Sequence, residues 1–547
     1  MRSKDRGVGI DSIGVYIPRL YVDLTGDWAR VRAPALAEGD VRKLIGKVTE
    51  GVGVRRMAVI DAHQDCATLA AMAAKRAIDA AGIDPTDIDY LAVGTETTVD
   101  QSKSTAAYVL GMLERHYGVS LAGVGTPQFQ FACIGATYAL EAAASRIRAG
   151  DNAKPYSLVV ASDVSKYPLA TPGEYTQGAG AVALLVSQNP RLVTLEQGLS
   201  GTVTRDERDF FRPNWSQEAV VDGKYSIDVY LDCIEAAFAA FATRAERSLG
   251  GGADRLYDAI DHFLFHVPFP RMAEYAAARV LTSLWFDSPR DRARLAAEVP
   301  LVSTRPSSAG GSRPGPDAGP PGAGEVAAAG LRTGASTDGG ANGAELRAWR
   351  KDVERAVARS SIFREAFARK VEPSLAFSRD IGNMYSGSLY LALASLLEHA
   401  GAQSLSGQRI VFGSYGSGAS AKVFSGLVAD GYESIAGKIR VSEDLRPEPE
   451  GGRRVPLSVS EYERLHALAD SELACSEELA QKLSAGVALE PNEVAALHAA
   501  WTKPAWRVRP RGASVRPPHH EFALDHLGTS QTAQRTDLGY RYYVWAQ

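Results

Sequence analysis

The chain has 547 residues, 45% apolar and 23% charged, with a formal net charge of -4. That length suffices for one large domain or two to three ordinary ones, and interspersed charge gives no bulk field for nucleic acid or an anionic membrane. The start, MRSKDRGVGIDSIGVYIP, has no apolar leader core, no run approaches the roughly 18 apolar residues of a membrane span, and four scattered cysteines without a C-x-x-C pair point to a reducing cytoplasm.

In chain order, ATLAAMAAKRAIDAAG at 67–82 is rich in helix formers and stops at Gly82, a fitting residue just past a helix. IDYLAVG at 88–94 is a short apolar run of buried-strand type, as are SLVVAS at 157–162 and AVALLVS at 181–187. Helices alternating with fully apolar strands predict an α/β class whose sheets are covered on both faces. Residues 303–345 hold 11 Gly and 5 Pro in 43 positions and no aromatic residue. Their composition predicts a disordered surface insertion, tolerated because closure entropy grows only logarithmically with length. RPEPEGGRRVP at 446–456 reads as a second linker. A charged helical stretch follows it, and the tail YRYYVWAQ supports only an edge strand.

The chain also repeats itself. IDYLAVG has a counterpart in IDHFLFH at 260–266, CIGATYALEAAA from Cys133 in NMYSGSLYLALA from Asn383, and YSLVVASD in QRIVFGSYG at 408–416. The order strand, helix, strand occurs twice, which predicts a duplicated α/β half.

Cys133 stands where a strand-like run gives way to a helical one. A helix N-terminus there would lower its thiol pKa, but cysteine is also among the most buried residue types, so this stretch alone leaves nucleophile and packing residue both open. Cys66, Cys233 and Cys475 lie in helical patterns and read as filler. Glu96 follows the strand that ends at Gly94, and His266 follows the equivalent strand, with Pro268 closing it. Pseudo-symmetry would bring Glu96, Cys133, His266 and Asn383 to one place. Gly178, Gly180, Gly413, Gly416 and Gly418 mark tight turns or close approaches. No dinucleotide, P-loop, G-x-S-x-G or H-E-x-x-H motif occurs, and His519 with His520 offers poor metal ligation.

The motifs FACIGATYAL, GTET, ASDVSKY, TQGAGAVAL, DFFRP, VDGKYS, FHVPFPRM, GNMYSGSLYLALASLL and FGSYGSG run in order from about residue 8 to 430. On them the chain resembles the bacterial and archaeal 3-hydroxy-3-methylglutaryl-CoA (HMG-CoA) synthases of the thiolase superfamily. The resemblance implies a thiolase fold, with two pseudo-symmetric halves in a five-layered αβαβα arrangement, and a cytoplasmic homodimer. It divides the chain into an N-terminal half at 8–190, a second half at 191–440 carrying the insertion, and an extension at 441–547 packing on the core. It implies Cys133 as the acetyl-accepting nucleophile, Glu96 as general acid/base and His266 as the group holding acetoacetyl-CoA. Asn383 and Ser414 would line the acyl pocket, the Ser414 N–H joining that of Cys133 as oxyanion donor. Asp163, Tyr167, Asp209, Gly178 and Arg271 complete the implied substrate-binding set.

The implied reaction joins acetyl-CoA, acetoacetyl-CoA and water into HMG-CoA for the mevalonate route to isoprenoids, with no metal or redox cofactor. One departure concerns CoA. Relatives carry lysines after the catalytic histidine, whereas this chain has Arg271, then Glu274 and Tyr275, so weaker phosphate contacts are expected. The nearest alternative is a polyketide β-branching synthase taking carrier-protein-bound acceptors. A ketoacyl synthase or Claisen thiolase, or a non-catalytic scaffold of the same fold, are the more distant ones.

Overall fold

Asp65 and Thr68 cap the first long helix reciprocally: the Asp65 carboxylate accepts from the Thr68 N–H at 3.0 Å, and the Thr68 hydroxyl from the Asp65 N–H at 2.8 Å. The computed structural model describes residues 7–213, 218–250, 252–304, 341–399, 404–471, 520–527 and 540–546. In the N-terminal half these supply β1 (Val8–Tyr16), α1 (Cys66–Ala81), β2 (Ile88–Gly94), α2 (Thr105–Tyr117), β3 (Gln128–Phe129), α3 (Gly135–Ala149), β4 (Tyr156–Ser165) and β5 (Gly178–Gln188). The second half supplies β6 (Val193–Thr204), the short β7 (Phe210–Phe211) and β8 (Val220–Val221), α4 (Gly223–Leu249), β9 (His262–Phe265), α5 (Pro270–Asp287), α6 (Ser388–His399), β10 (Arg409–Gly416) and β11 (Ser420–Val428). Gly82 ends α1 with φ +67, as its position in the sequence predicts.

One nine-stranded sheet runs β9-β10-β11-β6-β1-β5-β4-β2-β3. Its two halves join where β1 meets β6 through only Gly9–Thr194 and Ile10–Val193. Alternation along each strand then sorts side chains into layers. Leu158 and Val160 of β4 face α1 and α2, whereas Val159 and Ala161 share a core with α3 and α6. In the second half, Ile410 and Phe412 of β10 join that same central core, and Val411 packs with α4 and α5. Helices α3 and α6 therefore lie between the two half-sheets, with α1/α2 and α4/α5 outside. This is the five-layered order that the resemblance implies.

Four sequence readings shift. The helix read as opening at Cys133 begins at Gly135, and the one read from Asn383 begins at Ser388, after a 3-10 turn at Tyr385–Gly387. Most of the Gly/Pro-rich segment, at 305–340, and Cys475 lie outside the described residues; a helix, Ala341–Val357, starts within the segment's read boundary. The tail strand exists but is half of a hairpin. Strand β12 (Glu521–Leu527) pairs antiparallel with β13 (Arg541–Ala546), away from the main sheet.

That hairpin packs Phe522, Leu524 and Tyr543 onto α1 and α2. Buried Glu521 accepts from the Tyr16 hydroxyl at 2.5 Å and the Gln64 amide at 3.2 Å, and meets His63 Nε2 at 3.1 Å. Arg541 and the Tyr543 hydroxyl each donate to Asp65 at 2.8 Å, bracing the α1 cap. Burial would raise the Glu521 carboxyl, but the His63 contact and the Tyr16 hydrogen bond outweigh it and hold the group at about 2. A depressed carboxyl contributes stability above its unfolded value of roughly 4.5, lost as pH falls toward 2. Glu521→Gln should cost about 3 kcal/mol at neutral pH, and the gap to wild type should narrow between pH 5 and 3. Denaturant unfolding at matched pH measures it; an unchanged gap at pH 3 would refute the assignment.

Candidate active site

Strand β2 ends at Gly94, where a Cβ would lie 2.2 Å from the Ala136 nitrogen. Only glycine lets α3 come so close, and that approach seats Cys133 beside the turn that carries Glu96. Ala132 takes φ +39, a left-handed conformation uncommon for a residue with a side chain, just before Cys133. The Cys133 thiol donates to Glu96 Oε1 at 3.1 Å. Cys133, Tyr167, His266, Asn383, Tyr385 and Tyr415 border one cavity of about 750 Å³. The structure thus gathers Glu96, Cys133, His266 and Asn383, which the repeat predicted would converge.

The expected electrostatics of Cys133 are reversed. The thiol precedes α3's cap residue Ile134, and burial followed by the neighbouring Glu96 charge raises its pKa well above the ordinary value. A helix dipole acts over about one turn on partial charges, and here a full carboxylate charge in hydrogen-bond contact opposes it. The thiol therefore needs a proton acceptor. Glu96 is only 8% exposed, and burial, then the Asp163 charge, push it up to about 7, against the pull of Arg212 and the Cys133 hydrogen bond. A carboxyl at that value can give or take a proton near neutrality.

His266 sits just past β9. Burial drives it down to about 3, so the imidazole is neutral at working pH. Its Nδ1 meets Ser388 Oγ at 2.6 Å, while the Val267 N–H donates to that oxygen at 3.1 Å and Tyr230 donates to the His266 carbonyl at 2.9 Å. Ser388, unremarked in the sequence, thus orients the ring. Asn383 accepts from the Tyr385 N–H at 2.8 Å, and Tyr385 takes φ +43 to make that turn.

The other expected binding residues stand behind the wall. Fully buried Asp163 accepts at Oδ1 from the Thr95 hydroxyl, the Glu96 N–H and the N–H and hydroxyl of Thr97, at 2.8–3.2 Å. Its Oδ2 takes the Ser386 N–H at 3.0 Å and the Ser386 hydroxyl. It ties the Glu96 turn to the Asn383 turn. Asp209 accepts from Ser226, Tyr415 and the Gly418 N–H at 2.9–3.1 Å. Ser414 Oγ lies 2.7 Å from Thr137 Oγ1 under α3. A Cβ on Gly178 would meet the Ile381 carbonyl at 2.6 Å and the Asn383 nitrogen at 2.7 Å, so that glycine admits the Asn383 turn. Arg271, expected at the CoA phosphates, pairs with Glu274 one helical turn on and donates to the Glu50 carbonyl at 2.6 Å from Nη2. It is the adjacent Tyr275 that borders the cavity.

One contact had no counterpart in the sequence reading. Arg212, within the DFFRP motif, donates from Nη1 to the Glu96 carbonyl and places Nη2 3.5 Å from Glu96 Oε2. The motif's presence was the only available signal.

Known proteins carry the same organisation. The family pattern described as the N-terminal part of hydroxymethylglutaryl-coenzyme A synthase matches residues 4–190, and its C-terminal counterpart matches 193–299 and 338–466. The chain is similar to the hydroxymethylglutaryl-CoA synthase of Haloferax volcanii, 30% identical over 476 residues, spanning 85% of this chain and 92% of that one. It is also 30% identical over 450 residues to the mitochondrial hydroxymethylglutaryl-CoA synthase of Rattus norvegicus, covering 81% and 75%. The solved structure "MvaS in complex with 3-hydroxy-3-methylglutaryl coenzyme A" shares 30% identity and a TM-score of 0.68 over 99% of both chains.

Proposed function

The chain belongs to the hydroxymethylglutaryl-CoA synthase family and makes HMG-CoA; we propose that it does so through an acetyl group carried on Cys133, working as a cytoplasmic homodimer without metal or redox cofactor. The contact that carries this reading is Cys133 Sγ on Glu96 Oε1 at 3.1 Å, on a cavity that His266 also borders. Among the described residues no helix is long and apolar enough to cross a membrane.

Glu96 takes the thiol proton as sulfur attacks acetyl-CoA, and that proton leaves with the CoA thiolate. Now a free carboxylate, Glu96 removes a proton from the acetyl methyl group. The Cys133 N–H holds the enolate oxygen, whereas Ser414, expected as a second donor, stands opposite Lys422 in the β10–β11 ladder. The methyl carbon attacks the ketone of acetoacetyl-CoA, whose oxygen His266 polarises. A neutral imidazole can do this only if Nε2 carries the hydrogen, so the Ser388 hydroxyl turns its one hydrogen to Nδ1 at 2.6 Å and not to the Tyr385 carbonyl at 3.1 Å. The proton held by Glu96 neutralises the new alkoxide. Water, deprotonated by Glu96, then cleaves the enzyme thioester, releasing HMG-CoA and free Cys133. The sum is acetyl-CoA, acetoacetyl-CoA and water giving HMG-CoA, CoA and a proton.

Turnover of free acetoacetyl-CoA, measured beside the same acyl group on a carrier protein, tests the acceptor. The free thioester should be consumed with one CoA released per HMG-CoA. Turnover of only the carrier-bound acceptor would overturn that part of the reading.

A further inference from the structure

We propose that Arg212 is a positioning residue for the condensation: it grips Glu96 at its main-chain carbonyl and one carboxylate oxygen, leaving the other oxygen to the Cys133 sulfur. The inference rests on the acid–base role given to Glu96 above.

The geometry divides the carboxylate cleanly. Oε1 takes the Cys133 thiol at 3.1 Å, and Oε2 faces Arg212 Nη2 at 3.5 Å. Nη1 holds the carbonyl of the same residue, while Asp163 holds its N–H at 2.9 Å. The Glu96 backbone is thus clamped from both sides, and its side chain has one fixed neighbour per oxygen. Arg212 reaches this place from the two-stranded ribbon in which Phe210 and Phe211 of β7 pair with Val221 and Val220 of β8. Phe210 anchors the ribbon edge-on against Tyr385, with ring centres 6.1 Å apart. The Arg212 side chain is 17% exposed, and its Nε–H has no hydrogen-bond partner among the described residues, so Glu96 is the group it serves.

Charge makes the same point. Among the described residues, the groups acting electrostatically on Glu96 are Asp163 from β4, Cys133 ahead of α3, Tyr167 and Tyr385 from the cavity wall, and Arg212. Arg212 is the one cation among them. It offsets the Asp163 charge and keeps the carboxylate form of Glu96 accessible near neutral pH.

The test compares Arg212→Gln, which removes the charge, with Arg212→Lys, which keeps it. Turnover is followed across pH, and the acetyl adduct on Cys133 is weighed in parallel. Arg212→Gln should move the acid limb of kcat up by about one pH unit and lower turnover at pH 7 about fivefold, with the adduct still formed and KM for acetyl-CoA little changed. Arg212→Lys should keep the limb in place and lose only a few-fold in kcat. If Arg212 merely anchors the ribbon, both variants lose activity alike and neither limb moves; that result overturns the proposal. A displaced limb in Arg212→Lys, where the charge is kept, also overturns the proposal; where Arg212→Gln does not fold, Arg212→Met, which keeps an unbranched apolar stem on the ribbon without the charge, takes its place with the same expected shift. Full activity in Glu96→Gln would instead remove the premise, and that variant leaves Arg212 untouched.

Discussion

Cys133→Ala protein mixed with acetyl-CoA gains no acetyl mass, and its HMG-CoA output falls by about 10⁶-fold, the scale lost when a covalent catalyst loses its nucleophile. The size follows from how little else the cavity offers. Cys66 is buried beneath the Glu96 turn, donates to the Ser162 carbonyl at 3.2 Å, and burial pushes its thiol up to about 12. Cys233 is buried on α4, its thiol pushed up to about 11. Neither can take over the acetyl group. Intact-protein mass spectrometry with and without acetyl-CoA reads the result directly. An acetyl adduct persisting in the variant, or turnover within a hundredfold of wild type, would refute the covalent role.

Glu96→Gln should separate the two halves of the reaction. The adduct still forms, because removing the carboxylate also removes a charge that raises the Cys133 thiol, and this offsets the lost proton acceptor. Condensation has no such compensation: among the described residues no other base is in hydrogen-bond contact with Cys133, so turnover should fall about 10³–10⁴-fold. Acetyl-enzyme then accumulates. In wild type the carboxylate is the working form and titrates at about 7, so kcat should fall as pH drops through 7. That limb should vanish from the residual activity of Glu96→Gln. The same change should stabilise the fold. A carboxyl raised by burial destabilises once it ionises in the unfolded chain above roughly pH 4.5, with the cost levelling off above 7, so glutamine should gain up to about 3 kcal/mol at neutral pH. A variant that condenses normally, or that forms no adduct, would reject this division of labour.

The elements legible in the sequence are those set by local pattern. IDYLAVG becomes β2 over the same residues, because an apolar run closed by glycine has few other solutions. The duplication was legible too, since it needs only order and spacing. The helix after Asn383 starts five residues late because Tyr385 adopts φ +43, held there by its N–H on the Asn383 side chain. The strand EFALDHL escaped notice for a different reason. Its acid Glu521 breaks the apolar pattern, and its partners Tyr16 and His63 lie 505 and 458 residues away.

By itself the sequence determined an α/β chain with a repeated half, because helix caps and strand alternation act over a few turns of chain, and its motif order carried the resemblance that implies the layers and the candidate side chains. Only the tertiary structure decided protonation and contact. Glu96 and Cys133 are 37 residues apart, and Arg212 is 116 from Glu96. Their charges set one another's pKa values once folding removes water from between them, where Coulomb interactions are strongest. For that reason the thiol that local pattern reads as acidified by a helix is held protonated, and Asp163, expected to touch substrate, holds the Glu96 turn in place.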